Sequence, residues 1–104
     1  MPVEVKTDQD FLKTIENNEK VIVKYFANWC GSCKLFAPKY RRLSGDERFD
    51  DIAFLDVNAE ENPAARKLAG VNNLPFFAVF KNGKLVEGVA TNKEDKLVEM
   101  MENL

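Results

Sequence analysis

Val21-Ile22-Val23-Lys24-Tyr25-Phe26-Ala27-Asn28-Trp29-Cys30-Gly31-Ser32-Cys33-Lys34 runs from a nearly continuous apolar stretch straight into two cysteines three residues apart. The first six residues are β-branched or aromatic with one exception. They read as a central strand covered on both faces, because a strand with one wet face would alternate apolar with polar. A helical stretch is expected over 31 to 44. Pro38 falls inside it and, having no N–H to give, should kink it. The cysteines therefore sit where a buried strand hands over to a helix.

That junction suits exposed thiol chemistry. A spacing of three lets both sulfurs meet across one helical turn and form a disulfide. The first cysteine faces the free N–H groups and the positive dipole end of the helix, which stabilise a thiolate. Thiolate, not thiol, attacks a disulfide. Cys30 is expected to be the exposed nucleophile, and Cys33, one turn in, the more buried partner that resolves the mixed disulfide. A C-x-x-C pair is also half a zinc site, but zinc takes four ligands and the chain has no third cysteine and no histidine. A metal shared across a dimer is the form of that alternative that stays open. The absence of histidine also removes Ser/His and Cys/His catalysis.

Outward from the junction, Thr7-Asp8 is expected to cap a helix carrying Phe11, Leu12 and Ile15 and ending near Asn18. Ile52-Ala53-Phe54-Leu55-Asp56-Val57 reads as a second buried strand. Asn62-Pro63 supplies an N-cap with proline at the first helical position, and Gly70 a stop, for a helix over 63 to 69. A third strand covers 76 to 80, and Asn82-Gly83 is a two-residue hairpin signal leading into Lys84-Leu85-Val86. A last helix places Leu97, Val98, Met101 and Leu104 on one side. With a weak first strand at Val3-Glu4-Val5, the order β-α-β-α-β-α-β-β-α predicts an α/β fold with a mixed sheet and helices on both faces.

The 104 residues make a single domain. Eight Phe and an apolar share of 45% can form a core without staples. Fifteen basic against 17 acidic residues leave a net charge of −2, which gives no footprint for nucleic acid. Lys39-Tyr40-Arg41-Arg42, the densest basic stretch, fits the solvated end of a helix. No apolar run approaches the ~20 residues of a membrane span. Met1-Pro2-Val3-Glu4-Val5-Lys6 lacks the charged-then-apolar plan of a signal peptide, so a cytoplasmic protein is expected unless a leader preceded it.

Phe26-Ala27-Asn28-Trp29-Cys30-Gly31-Ser32-Cys33-Lys34 with Ala37-Pro38 resembles the active-site segment of thioredoxins. So do Leu55-Asp56-Val57-Asn58 with Asn62-Pro63, Val71 through Leu74-Pro75, and Phe80-Lys81-Asn82-Gly83. The resemblance covers essentially the whole chain in order. It implies a thioredoxin fold of about five strands and four helices, and a monomer that reduces protein disulfides through Cys30 and Cys33 without a cofactor or metal. It also implies re-reduction by a flavin-dependent thioredoxin reductase. Trp29 would flank the sulfurs, its alternative being ordinary core filling, and Gly31 and Ser32 would tune the couple. Pro75 would be a cis proline facing the cysteines, its alternative being a trans proline at a strand start. The Leu74 backbone would pair with an extended substrate segment, with Val71, Asn72 and Asn73 along one rim of the groove.

Three departures from the family limit what carries over. Ser32 replaces the usual proline between the cysteines, adding a hydroxyl and removing a rigid φ; a weaker reductant is expected. Lys24 stands where thioredoxins usually bury an aspartate beneath the second cysteine, and Phe54 is read in the place of the lysine that often pairs with that acid. Asp56, on the same strand face as Phe54, becomes the expected partner of Lys24, unless Lys24 snorkels to solvent. Ala90 or Thr91 replaces a groove-lining glycine before the last helix. Two rival functions stay open: a thioredoxin-fold binding or scaffold module with weak redox activity, and a disulfide oxidase or isomerase.

Overall fold

In the computed structural model, which describes residues 2–104, the chain runs through ten elements. These are β1 (Glu4–Val5), α1 (Phe11–Asn17), β2 (Lys20–Phe26), α2 (Gly31–Ser44), a 3-10 turn (Glu47–Phe49), β3 (Ala53–Asn58), α3 (Pro63–Ala69), β4 (Phe76–Lys81), β5 (Lys84–Ala90) and α4 (Glu94–Glu102). Met1, the first residue read for a targeting signal, lies outside the described residues. The five strands form one sheet in the order β1-β3-β2-β4-β5. β3 is parallel to β1 and β2, and β4 is antiparallel to β2 and β5. The expected mixed sheet is present, with β2 at its centre. The 3-10 turn has no counterpart in the sequence reading, since three residues carry no periodicity. α2 runs through Pro38 without ending there.

Strand alternation divides the core into two layers. Val21, Val23 and Tyr25 of β2 join Phe11, Ile15, Ala65 and Ala69 on the face covered by α1 and α3. Ile22 joins Phe36, Tyr40, Leu43, Leu97 and Met100 on the face covered by α2 and α4. Lys24 follows Ile22 at the period of two and so points under α2. Tyr40 fastens that helix to the sheet: its hydroxyl lies 2.8 Å from the Leu55 carbonyl and 3.1 Å from that of Ile22. On the other face the Tyr25 hydroxyl donates to the Ala65 carbonyl at 2.8 Å and fixes α3. The Asn82-Gly83 turn forms as expected, with φ of 54° and 82°. Those positive angles are what a tight hairpin needs and few side chains tolerate.

Capping departs from expectation. Asp10, not Thr7 or Asp8, precedes the first turn of α1, and its side chain bonds back to the Thr7 N–H at 2.9 Å. Asp8 instead reaches across to α3. Its two carboxylate oxygens accept the N–H groups of Ala64 and Ala65 at 3.0 and 2.9 Å. Asn62, the residue before α3, makes no side-chain cap to its own helix. Its amide accepts the Asp8 N–H at 2.8 Å and donates to the Asn58 carbonyl at 3.0 Å. A carboxylate at a helix N-terminus satisfies orphan donors and complements the dipole. Asp8→Ala is therefore expected to cost about 1–2 kcal/mol, the range of a lost N-cap, read from denaturant midpoints. A loss below about 0.5 kcal/mol, the scale of an ordinary surface change, would show that the cap contributes little.

Candidate active site

β2 delivers the chain through Ala27, buried at 1% exposure, to Cys30 at the N-cap of α2. Cys30 and Cys33 form a disulfide. The Cys33 N–H points at the Cys30 sulfur at 3.2 Å, so sulfur occupies the place that a hydroxyl or carboxylate oxygen takes at an ordinary N-cap. The Ser32 hydroxyl lies 3.6 Å from the same sulfur. A thiolate released at Cys30 would thus meet one backbone N–H, one hydroxyl and the helix dipole. No heavy atom would lie within 4 Å of a Cβ at Gly31, so that flank of the disulfide is open.

The expected contrast between an exposed and a buried cysteine is not found. Cys30 is 4% exposed and Cys33 2%. Both sulfurs turn inward to bond with each other, and Leu74 packs over them with Ala27. The difference between the two lies in backbone position: Cys30 receives the helix-terminal N–H, and Cys33 is one turn in.

Trp29 is 68% exposed and donates its indole N–H to Glu60 at 2.7 Å, which rules out core filling. Glu60 was not legible as a site residue, because 31 residues of sequence separate the pair. The Leu74–Pro75 bond is cis. Ser32, Asn73, Leu74, Pro75, Ala90 and Thr91 line one depression, and the Thr91 N–H donates to the Pro75 carbonyl at 3.2 Å. Ala90 and Thr91 therefore do face the groove. The Leu74 N–H is already held by the Asn73 side chain at 2.9 Å, so a substrate strand pairing there would displace that bond. Val71 corrects an expectation: it is buried in the α1/α3 core and borders a different hollow, with Ala59 and Glu60. Asn72 is exposed and lines neither. The chain turns inward after α3, which takes Val71 off the rim and leaves Asn73 on it.

Beneath Cys33 lies a cavity of about 220 Å³ lined by Lys24, Phe26, Asn28, Cys33, Lys34 and Asp56, among others. Lys24 is 4% exposed and does not snorkel. Its ammonium lies 3.4 Å from Asp56 Oδ1 as an ion pair too poorly aligned for a good hydrogen bond. It also lies 5.2 Å from the ring centre of Tyr40 and 5.8 Å from that of Phe26. Register explains the pairing. Position 24 stands opposite 56, and Phe54 stands opposite Ile22 in the core. Asp56 is thus the cross-strand partner of Lys24, and where thioredoxins usually bury an acid beneath the second cysteine this chain has an ion pair with the cation on β2. Burial pushes the Asp56 carboxyl above its ordinary range, and Lys24 and Arg41 only partly draw it back. Burial likewise pushes the Tyr40 hydroxyl well up, helped by Asp56. Among the described residues no group of three or more Cys, His, Asp or Glu side chains is placed to hold a metal ion.

A family model described as thioredoxin matches residues 2–103. A chloroplastic F-type thioredoxin of Mesembryanthemum crystallinum is 38% identical over 102 residues, spanning 93% of this chain and 52% of that protein. Thioredoxin 1 of Plasmodium falciparum is 33% identical over 101 residues, spanning 96% of this chain and 95% of that one. The chain thus spans about half the length of the F-type relatives and nearly all of the Plasmodium protein. Among solved structures, thioredoxin f2 in complex with ferredoxin:thioredoxin reductase superposes with a TM-score of 0.89 at 28% identity, covering 98% of this chain and 94% of that one.

Proposed function

The chain belongs to the thioredoxin family, and on that premise we propose that it is a thiol–disulfide oxidoreductase that reduces protein disulfides. The carrying observation is the Cys30–Cys33 disulfide at the start of α2, with a backbone N–H already aimed at the Cys30 sulfur. In the reduced protein, the Cys30 thiolate attacks one sulfur of a substrate disulfide. That S–S bond breaks, a mixed disulfide forms, and one substrate thiolate leaves. Cys33 loses its proton and attacks the Cys30 sulfur, which forms Cys30–Cys33 and expels the second substrate thiolate. Two electrons pass to the substrate, and the protein ends oxidised.

A thioredoxin reductase closes the cycle; the f2 relative's complex with ferredoxin:thioredoxin reductase supports a partner of this kind. The protein acts as a monomer in a reducing compartment, the cytoplasm. Both of its cysteines belong to the couple, leaving none for a structural staple. No described helix is long and apolar enough to cross a membrane.

The test joins insulin reduction under dithiothreitol with a redox titration of the couple. Insulin is expected to precipitate at a catalysed rate, with a midpoint between about −200 and −270 mV, the span from glutaredoxins to thioredoxin. A midpoint near or above about −180 mV, the range of disulfide isomerases and oxidases, would overturn the reductant assignment. No catalysed turnover would overturn the oxidoreductase reading itself.

A further inference from the structure

The face around the disulfide extends beyond the depression at Pro75. That depression, about 200 Å³, shares Ser32 and Asn92 with a neighbouring one of about 160 Å³. Together they form one furrow running from Pro75 across the first turn of α2. The far end of the second hollow is set by Leu35 and Lys39, one turn apart on α2.

Leu35 is 79% exposed, more than any other large apolar side chain among the described residues. Lys39 is exposed, with its ammonium 5.9 Å from the ring centre of Phe36. Among the described residues no carboxylate comes within 4.0 Å of it. Glu94, two residues past Asn92, is held by Arg42 at 2.7 Å. None of the side chains lining this hollow is acidic. The furrow therefore ends in an uncompensated cation beside an uncovered aliphatic group, and Ser32, which lines both hollows, has its hydroxyl 3.6 Å from the Cys30 sulfur.

Resting on the oxidoreductase reading above, we propose that Leu35 and Lys39 form a second docking point for the substrate. Its occupant is an extended segment of a disulfide-bearing protein with an aliphatic residue and an acidic neighbour, displaced along the chain from the attacked cysteine. The aliphatic side chain covers Leu35, removing apolar surface from water. The carboxylate meets Lys39 at the rim, where an exposed pair contributes modestly and is screened by salt. Cysteine reactivity is then common to all disulfides, and this end of the furrow discriminates among their surroundings.

The test uses synthetic peptides with one cysteine disulfide-linked to a fluorescent thiol. A Leu-Glu or Leu-Lys pair is placed at successive positions on either side of that cysteine. At positions that reach the hollow, kcat/KM for the Glu peptide is expected to exceed that for the Lys peptide by about two- to fivefold, the factor an exposed ion pair supplies. The ratio should fall toward one at about 1 M salt, where charges are screened within about 3 Å. Lys39→Glu should invert it, and Leu35→Ser should raise KM for both peptides. Equal rates for Glu and Lys at every position, or an unchanged ratio in Lys39→Glu, would overturn the docking point while leaving reduction intact. If no peptide is reduced, the oxidoreductase reading itself falls, and this inference with it.

Discussion

Cys33→Ser is expected to turn the protein into a covalent trap. Its catalysed turnover of disulfide substrates falls to the background rate, while one substrate half per molecule accumulates on Cys30. The two half-reactions depend on different groups. Attack needs a thiolate at Cys30, and the groups around that sulfur, the Cys33 backbone N–H at 3.2 Å and the Ser32 hydroxyl at 3.6 Å, survive the change. Resolution needs a second sulfur across the same helical turn, and the chain has no other cysteine to offer. Serine at 33 is too poor a nucleophile to replace it, because an alcohol is essentially un-ionised at neutral pH where a thiol is partly thiolate. Cys30→Ser should lose both turnover and trapping, since the remaining thiol sits one turn into α2, without the helix-terminal N–H that Cys30 receives. Mass spectrometry of Cys33→Ser incubated with a disulfide peptide reads the adduct directly. Free Cys30 that alkylates readily yet forms no mixed disulfide would show that the roles are misassigned, and wild-type turnover in Cys33→Ser would remove the need for a resolving thiol.

Removal of Asp56 alone should destabilise the fold strongly, and removal of Lys24 with it should restore most of the loss. Lys24 is 4% exposed under α2, with Asp56 as its ion-pair partner and two aromatic rings beside it. Deleting one member of a buried pair leaves a charge out of water without compensation, at a cost of about 3–5 kcal/mol. The low end, about 3 kcal/mol, is expected for Asp56→Leu, because the Asp56 side chain is 22% exposed and water can enter where it stood. Lys24→Met/Asp56→Leu replaces both charges by apolar groups, which is often neutral or better.

The pH dependence carries a sign. Burial raises the Asp56 carboxyl in the folded protein, so the folded state binds its proton more tightly than the unfolded state does. Its contribution to stability is complete below the ordinary carboxylate range and declines as pH rises through the raised folded value. The double variant should lack that decline. Denaturant midpoints across pH measure both effects. A loss under about 1 kcal/mol in Asp56→Leu would show that the Lys24 ammonium is solvated after all, and a double variant as unstable as the single would show that the pair is not coupled.

The pair also bears on chemistry at Cys33. Thioredoxins usually have a carboxylate beneath the second cysteine, able to take its proton. In this chain the buried strand position supplies a cation, and the carboxylate lies across on β3. An ammonium in that cavity is expected to favour thiolate at Cys33 by its field, having no lone pair with which to take a proton.

The succession of apolar runs, the strand-to-helix junction at Cys30, the Asn82-Gly83 hairpin and the limits of α3 were determined by the sequence itself. Each depends on local patterning: periodicity within a few residues, a proline at a helix start, a turn needing positive φ. The pairing of Cys30 with Cys33 was legible for the same reason, since three residues of spacing decide their contact.

Other features were decided only by tertiary structure, because each depends on which distant segments meet. Asp8 caps α3 from 56 and 57 residues away, although its local context reads as a cap for α1. Trp29 is held by Glu60 through a contact that no spacing rule encodes. Val71 turns into the core where the resemblance implied a rim. Cys30 is as buried as Cys33 once the disulfide closes under Leu74. The environment of Lys24 is the plainest case. A lone lysine in an apolar central strand can be read as a side chain that snorkels to solvent or as a buried charge. The parallel register of β2 on β3, which puts 24 opposite 56, decides between them. Register is a property of two strands packed in one sheet, set by the burial of every other side chain on both, and a single strand's sequence cannot state it.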